Sequence, residues 1–325
     1  MSRNRSIKSQ LIHAISQCTT AGESKRSYMH GHAGDTGSNV YSLSHYENLT
    51  KWSIAFDSWI REAHPDVKRV RDITPVILQE YMQYKARTCN YNTLQRDLSY
   101  IHKMDAIVSR QYGGSWHSDR VSIPALSPDR AEGQIRGRVA TQADYRILLA
   151  AMRSGGRSEA WKSLPLSRYT GFRVNETANV RFGRLVETGG RWGCGYVVLQ
   201  GREDGTKGGR WRTIDILDPE AREALREVFD GKKHGDFVIS QPDGTPLKTD
   251  SVMKALSRAK EKAGYDKTWT YEGHHAFRRL LAQESYDAIR CGGGSKREAE
   301  DYANRQLGHG KNRDDDTDRY VKSRW

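Results

Sequence analysis

A chain of 325 residues exceeds what one hydrophobic core usually organises, so two domains and a terminal arm are expected. With 53 Lys and Arg against 40 Asp and Glu, a formal charge of +13 on a hydrophilic composition points to a polyanionic partner such as nucleic acid, not an acidic small molecule. Four scattered cysteines (Cys18, Cys89, Cys194 and Cys291) exclude a disulfide framework and a zinc ribbon; the broken apolar stretch Leu11 to Ile15 is too short for a signal sequence or membrane span, so a cytoplasmic protein is expected.

Residues 1–40 are polar, with Gly31, Gly34 and Gly37 among small and charged residues. They read as a flexible basic arm that contains one short helix over 7–17. From Tyr41 onward, Tyr46, Leu49, Trp52, Phe56, Trp59 and Ile60 recur at helical spacing, and this aromatic stripe is assigned to a core. Thr74 then N-caps a helix that has Pro75 at its first position and Leu78, Tyr81 and Met82 facing inward. A third helix from Asn92 places Leu94, Leu98, Ile101 and Val108 on one side and Arg96, Lys103 and Arg110 elsewhere. Residues 41–115 are therefore expected to form a helical bundle whose exposed basic residues are candidates for touching DNA.

Helical periodicity disappears over 116–140, where Pro124, Pro128, Gly133 and Gly137 accompany Arg120, Arg130, Arg136 and Arg138. This is the expected interdomain linker, with Arg136 and Arg138 as further DNA-binding candidates. Thr141 caps the first helix of a second domain, 141–325, with Tyr145, Leu148, Leu149 and Met152 inside. The stretches 195–199 and 212–216 alternate like the strands of a hairpin around a glycine-rich turn. Asp218 with Pro219, Thr249 or Asp250, and a capping box of Ser295 and Glu298 open later helices. The fold class is mainly α with a small β component.

Chemistry is concentrated in four places. Glu176 stands one helical turn from Arg173 and can orient its guanidinium, a group suited to a bidentate grip on phosphate, although an ordinary surface ion pair has the same spacing. Lys207 lies in a glycine-rich turn that holds an ammonium at a hairpin tip; a Walker phosphate loop is excluded because the glycine spacing is wrong and no Ser or Thr follows the Lys. His275 and Arg278, three residues apart at a helix start, are expected to project together. A metal site from His274 and His275 is disfavoured, since adjacent residues point apart and no acidic or Cys ligand stands at helical spacing. Last, Leu307, Gly308 and His309 precede Tyr320, which lies in a basic tail.

In this order, Arg173, Lys207, His275, Arg278, His309 and Tyr320 resemble the catalytic series of the tyrosine site-specific recombinase, or phage integrase, family. The resemblance covers the catalytic domain from about 141 to the end, and 41–115 resembles the family's helical core-binding domain, the two forming a C-shaped DNA clamp. It implies site-specific recombination, the integration or excision of a mobile element, through a covalent 3′-phosphotyrosyl intermediate at Tyr320. Bond energy is conserved in such a transesterification, so no ATP is implied, and two guanidiniums supply the positive charge, so no metal or other cofactor is implied.

By the same resemblance, Arg173 and Arg278 hold the non-bridging phosphate oxygens and Lys207 protonates the departing 5′ oxygen. His275 acts as general base or proton relay, His309 hydrogen-bonds the phosphate, and Glu176 supports Arg173. The implied partners are double-stranded DNA attachment sites, a homotetramer on DNA, and accessory DNA-bending or directionality proteins. No membrane is involved, and a nucleoid-associated place in a bacterial or phage setting follows. Two features depart from the family pattern: Arg279 stands where a second His is frequent, and an acidic run of Asp314, Asp315, Asp316 and Asp318 precedes Tyr320. The five residues after Tyr320 are too few for a long exchanged helix, so assembly is expected to use other surfaces. The alternatives are a type IB topoisomerase-like enzyme that relaxes DNA, against which the helical domain argues, and a catalytically silent DNA-binding relative, against which the complete residue set argues.

Overall fold

The computed structural model describes residues 6–20, 37–127, 139–156, 158–265, 273–309 and 320–321. The chain divides into two compact units, residues 1–135 and 136–325.

The first unit is built from helices α1 (Ile7–Gln17), α2 (Leu43–Ala63), α3 (Pro75–Ala86) and α4 (Tyr91–Tyr112). Ser6, Ser42, Thr74 and Asn90 each cap one of them by accepting the backbone N–H three residues on, which satisfies a donor the helix cannot use itself. The aromatic stripe of α2 is core, as read from its spacing. Trp52 stacks on Phe56 with centroids 5.0 Å apart, and Tyr81 of α3 meets Phe56 edge-on at the same distance.

Two boundaries differ from expectation. Residues 7–18 and 40 are not part of a loose arm: Leu11, Ile15 and Val40 are fully buried in the same cluster as α2 and α4. The Val40 N–H donates to Cys18 O at 2.8 Å and the Thr20 N–H to Val40 O at 2.9 Å, closing the ends of the intervening segment. A few apolar residues on one helix face suffice for this once a complementary surface exists, and glycine-rich neighbours hide that surface from a local reading.

The expected linker also begins too early. Trp116 is buried and its Nε1 donates to Val70 O at 2.7 Å. Asp105 accepts from Trp116 N at 2.7 Å and from Ser118 N and Oγ at 3.0 and 2.7 Å. Burial pushes the Asp105 carboxyl up, but these bonds and that from Ser115 outweigh it and hold it below its ordinary value.

Of the basic residues proposed to touch DNA, Arg96 is exposed on α4. Lys103 and Arg110 also bond within the unit: Lys103 Nζ donates to Asn39 O at 2.6 Å, and Arg110 Nη1 to Asn39 Oδ1 at 2.8 Å. They fasten the strand-like segment before α2 to α4. Arg136, Arg138 and the acidic run 314–318 lie outside the described residues.

The second unit runs α5 (Gln142–Arg153), α6 (Ser163–Thr170), α7 (Val174–Asn179), β1 (Leu185–Val186), β2 (Tyr196–Gln200), β3 (Trp211–Asp215), α8 (Pro219–Phe229), α9 (Thr249–Lys262), α10 (His274–Cys291) and α11 (Lys296–Gln306). Its three strands form one antiparallel sheet in the order β1-β2-β3. Val197 faces Ile214 across the expected hairpin and both are buried, so the alternation fixes the register. β1 was not anticipated, because two residues carry no alternation to read. Capping boxes form at Thr141 with Asp144 and at Ser295 with Glu298.

One core of this unit packs Tyr145, Leu164, Phe172, Val197, Ile214 and Phe277; a second, between α10 and α11, packs Tyr286, Tyr302 and Leu307. The fold is mainly helical with one small sheet. Among the described residues no helix is long and apolar enough to cross a membrane.

Candidate active site

The site starts at a glycine. α6 ends at Gly171 in the left-handed region (φ +60°), where a Cβ would stand 2.9 Å from Leu281 and 3.1 Å from Leu307. The chain turns there and delivers Arg173 as the N-cap of α7. Arg173 N donates to Glu176 Oε2 at 2.7 Å and Arg173 Nη1 to Glu176 Oε1 at 3.0 Å. A surface ion pair is excluded, because Glu176 is only 1% exposed and takes a second guanidinium, Arg212 of β3, whose Nη2 donates to Oε2 at 2.8 Å.

Arg212 spans to the opposite wall. Its Nη1 donates to Leu307 O at 2.7 Å, a carbonyl at the end of α11 that also accepts from Arg278 Nη2. Arg278, on α10, is wholly buried and donates through Nη1 to Gly171 O. Gly308 again needs its positive φ: a Cβ there would lie 2.7 Å from Arg212 Nη1. This close passage carries His309 to Arg278, with His309 Nε2 3.3 Å from Nη2. The Tyr320 ring stands edge-on to His309 at 5.1 Å, and the Arg278 guanidinium lies 5.8 Å from its centre.

Glu176 is the one carboxylate bonded within this arrangement of Arg173, Arg212 and Arg278 among the described residues, so positive charge is in excess. Burial, with Arg212 and Arg173 close by, brings Arg278 down to about 9, against the opposing pull of Tyr320 and Glu176. Burial likewise brings Arg212 to about 10, with Glu176 opposing and Arg173 reinforcing the fall. Both remain cationic at neutral pH. Such a cluster is strained by its own repulsion and is relieved by an anion.

Lys207 is exposed on the turn between β2 and β3, and it lines an open cleft together with Arg173, Glu176, Arg212, Trp211 and His309. His275 is exposed at the first turn of α10, lining a neighbouring cavity of about 400 Å³ with Arg173, Phe172 and Lys260, whereas Arg278, three residues on, is enclosed. The preceding His274 is buried, with Nδ1 2.7 Å from Ser167 Oγ. Burial, then His275 and Lys260, lower it to about 4, so it is a neutral core group at physiological pH.

Arg212 is the residue that sequence reasoning missed. In sequence it is one more basic residue on a hairpin strand; its signal was an arginine five positions after Lys207 in an alternating strand, two before the buried Ile214 and therefore on the same face.

No family model matches the chain, and no curated protein sequence matches it. Solved structures do. A lambda integrase fragment (residues 75–356) bound as a dimer to a COC′ core site aligns with a TM-score of 0.62 at 16% identity, over 92% of this chain and 94% of that one. The XerH site-specific recombinase bound to palindromic difH substrate aligns with a TM-score of 0.59 at 15% identity, over 97% and 90%. The Tn1549 transposon integrase in complex with a circular intermediate DNA aligns with a TM-score of 0.56 at 11% identity, over 97% and 95%. At these identities the likeness is one of fold, and the fold is that of the tyrosine recombinases.

Proposed function

We propose that this chain is a site-specific DNA recombinase that cuts and rejoins DNA through a covalent 3′-phosphotyrosyl link at Tyr320. The observation that carries the reading is the cationic cluster of Arg173, Arg212 and Arg278, with one bonded carboxylate among the described residues and adjoining His309 and Tyr320. A phosphodiester supplies the missing negative charge.

In this reading Arg173 and Arg278 bind the non-bridging oxygens and stabilise the charge that grows on them in the pentavalent transition state. The Tyr320 oxygen attacks phosphorus, the bond to the 5′ oxygen breaks, and Lys207 donates the proton that the departing oxygen takes up. One phosphoester replaces another, so the reverse step reseals the strand without an energy source. His309 hydrogen-bonds the phosphate, and His275, exposed beside Arg173, accepts or relays the tyrosine proton. Glu176 and Arg212 hold the first arginine and the His309 wall in register.

The neighbours support DNA as the partner, since lambda integrase, XerH and the Tn1549 integrase are each seen bound to DNA, and lambda integrase also as a tetramer on a Holliday junction. We extend duplex DNA and assembly on it as a homotetramer to this chain, with the helical first unit contributing contacts through exposed residues such as Arg96. The test is strand exchange. Duplexes retained by the protein from a randomised pool are mixed as two labelled lengths, in chelator, and hybrid products are sought. Hybrid strands support recombination; relaxation of supercoiled DNA with no hybrid strands would move the assignment to a topoisomerase.

A further inference from the structure

The turn that carries Lys207 is held far more firmly than its exposed lysine suggests. Lys207 has no side-chain partner among the described residues, so the backbone beneath it decides where the ammonium goes. That backbone is anchored twice. On its inner side Asp204, with no exposed surface, accepts from Gln200 N at 2.6 Å and from Arg184 Nε at 2.9 Å, and Arg184 is itself buried. Burying an ion pair adds little net stability over an apolar pair of the same size, but it fixes geometry. At the crest of the turn, Gly205 O accepts from Asn175 Nδ2 at 2.7 Å.

Asn175 is the second residue after Arg173 on α7. Its amide is oriented by Asn179, whose Nδ2 donates to Asn175 O at 2.7 Å and to Asn175 Oδ1 at 3.3 Å. Gly205 has φ +69°, and a Cβ there would lie 2.7 Å from Asn175 Nδ2. The approach of turn to helix is therefore as close as the chain permits.

We infer that Asn175 and the Arg184–Asp204 pair are positioning residues that tie the Lys207 turn to the helix beginning at Arg173, so that leaving-group acid and phosphate clamp are set as one body. This rests on the role proposed above for Lys207. Proton delivery to a departing oxygen requires placement within a hydrogen bond's length, and a misplacement of about 1 Å costs on the order of 100-fold in rate.

The experiment compares two nicked duplexes that share a selected sequence and a cleavage position mapped with the unaltered protein. One has the natural 5′ oxygen at the scissile bond and the other a bridging sulfur, which leaves as a thiolate without needing a proton. Lys207→Ala is expected to slow oxygen cleavage by about 100-fold or more and to leave sulfur cleavage within a few fold. Asn175→Ala, a change at an exposed side chain, is expected to slow oxygen cleavage by about tenfold, to spare sulfur cleavage, and to leave the unfolding temperature unchanged. Asp204→Asn should show the same oxygen-selective loss.

Equal slowing of both substrates by Asn175→Ala would place its effect on Arg173 or on the fold and overturn the inference, as would no slowing of either. If Lys207→Ala were as slow on sulfur as on oxygen, the role of Lys207 would fail first, and the inference with it.

Discussion

Asp105 in the first unit and Glu176 in the second are both enclosed carboxylates, but their surroundings differ in charge. Among the described residues Asp105 accepts from neutral donors, the Trp116 and Ser118 amides and the hydroxyls of Ser109, Ser115 and Ser118, and it stitches the chain after α4 onto that helix. Glu176 accepts from two guanidiniums, while a third, Arg278, lies on the far side of the site. One arrangement is complete without a ligand. The other sets, among the described residues, one carboxylate against three guanidiniums beside a tyrosine and a histidine, an arrangement that an anion relieves. The difference teaches where the molecule invests in architecture and where it accepts electrostatic strain for chemistry.

The comparison breaks most visibly at Arg278. Lysine cannot reproduce the fork that bonds both Gly171 O and Leu307 O, so Arg278→Lys is expected to lower the cleavage rate on bound DNA by roughly 100- to 1,000-fold, while DNA affinity falls far less. Quench-flow or gel-timed cleavage alongside a binding titration measures both. Next in size is Glu176→Gln. Removing the charge between Arg173 and Arg212 should destabilise the second unit by about 3 kcal/mol in urea unfolding. Asp105→Asn should cost the first unit only about 2 kcal/mol and leave the cleavage rate on bound DNA unchanged. Equal costs would remove the distinction.

Acid sharpens the contrast. Asp105 has a lowered carboxyl in the folded state, so its contribution is present above the ordinary carboxylate range and is lost only as pH falls below about 4. His274 is lowered to about 4. The unfolded chain takes up its proton near 6.5, so this contribution is present above about pH 6.5 and drains away as pH falls toward 4. Hydrogen exchange followed peptide by peptide should show α10 losing protection at a higher pH than the 105–118 region, with His274→Gln removing the difference. Simultaneous loss in both units would contradict it. The smallest expected effect is Arg110→Ala, which should cost no more than about 1 kcal/mol while accelerating exchange at Val40.

Much of the site was legible because its chemistry admits few residue types. Arg173, Arg278, His309 and Tyr320 are brought together, with Lys207 in the adjoining cleft, and the glycines at 171 and 308 that permit this were visible in the sequence. Arg212 was not legible as a site residue, since a strand residue's burial depends on what packs on its face, here α7 and the end of α11. The core role of α1 was hidden for a similar reason: its apolar face matters only against α2 and α4, which are distant in sequence. Caps and the hairpin, by contrast, depend on neighbours three to nineteen residues away, and Thr74, Thr141, Ser295 and the β2–β3 pair were all read correctly.

The central claim is that Tyr320 becomes esterified to DNA. The direct measurement incubates the protein, in chelator, with nicked duplexes selected for binding, resolves covalent adducts on a denaturing gel, and identifies the modified peptide by mass spectrometry. The account predicts an adduct on Tyr320 that disappears in Tyr320→Phe while DNA binding is retained. An adduct that persists in that variant, or none on DNA the protein binds tightly, would contradict it.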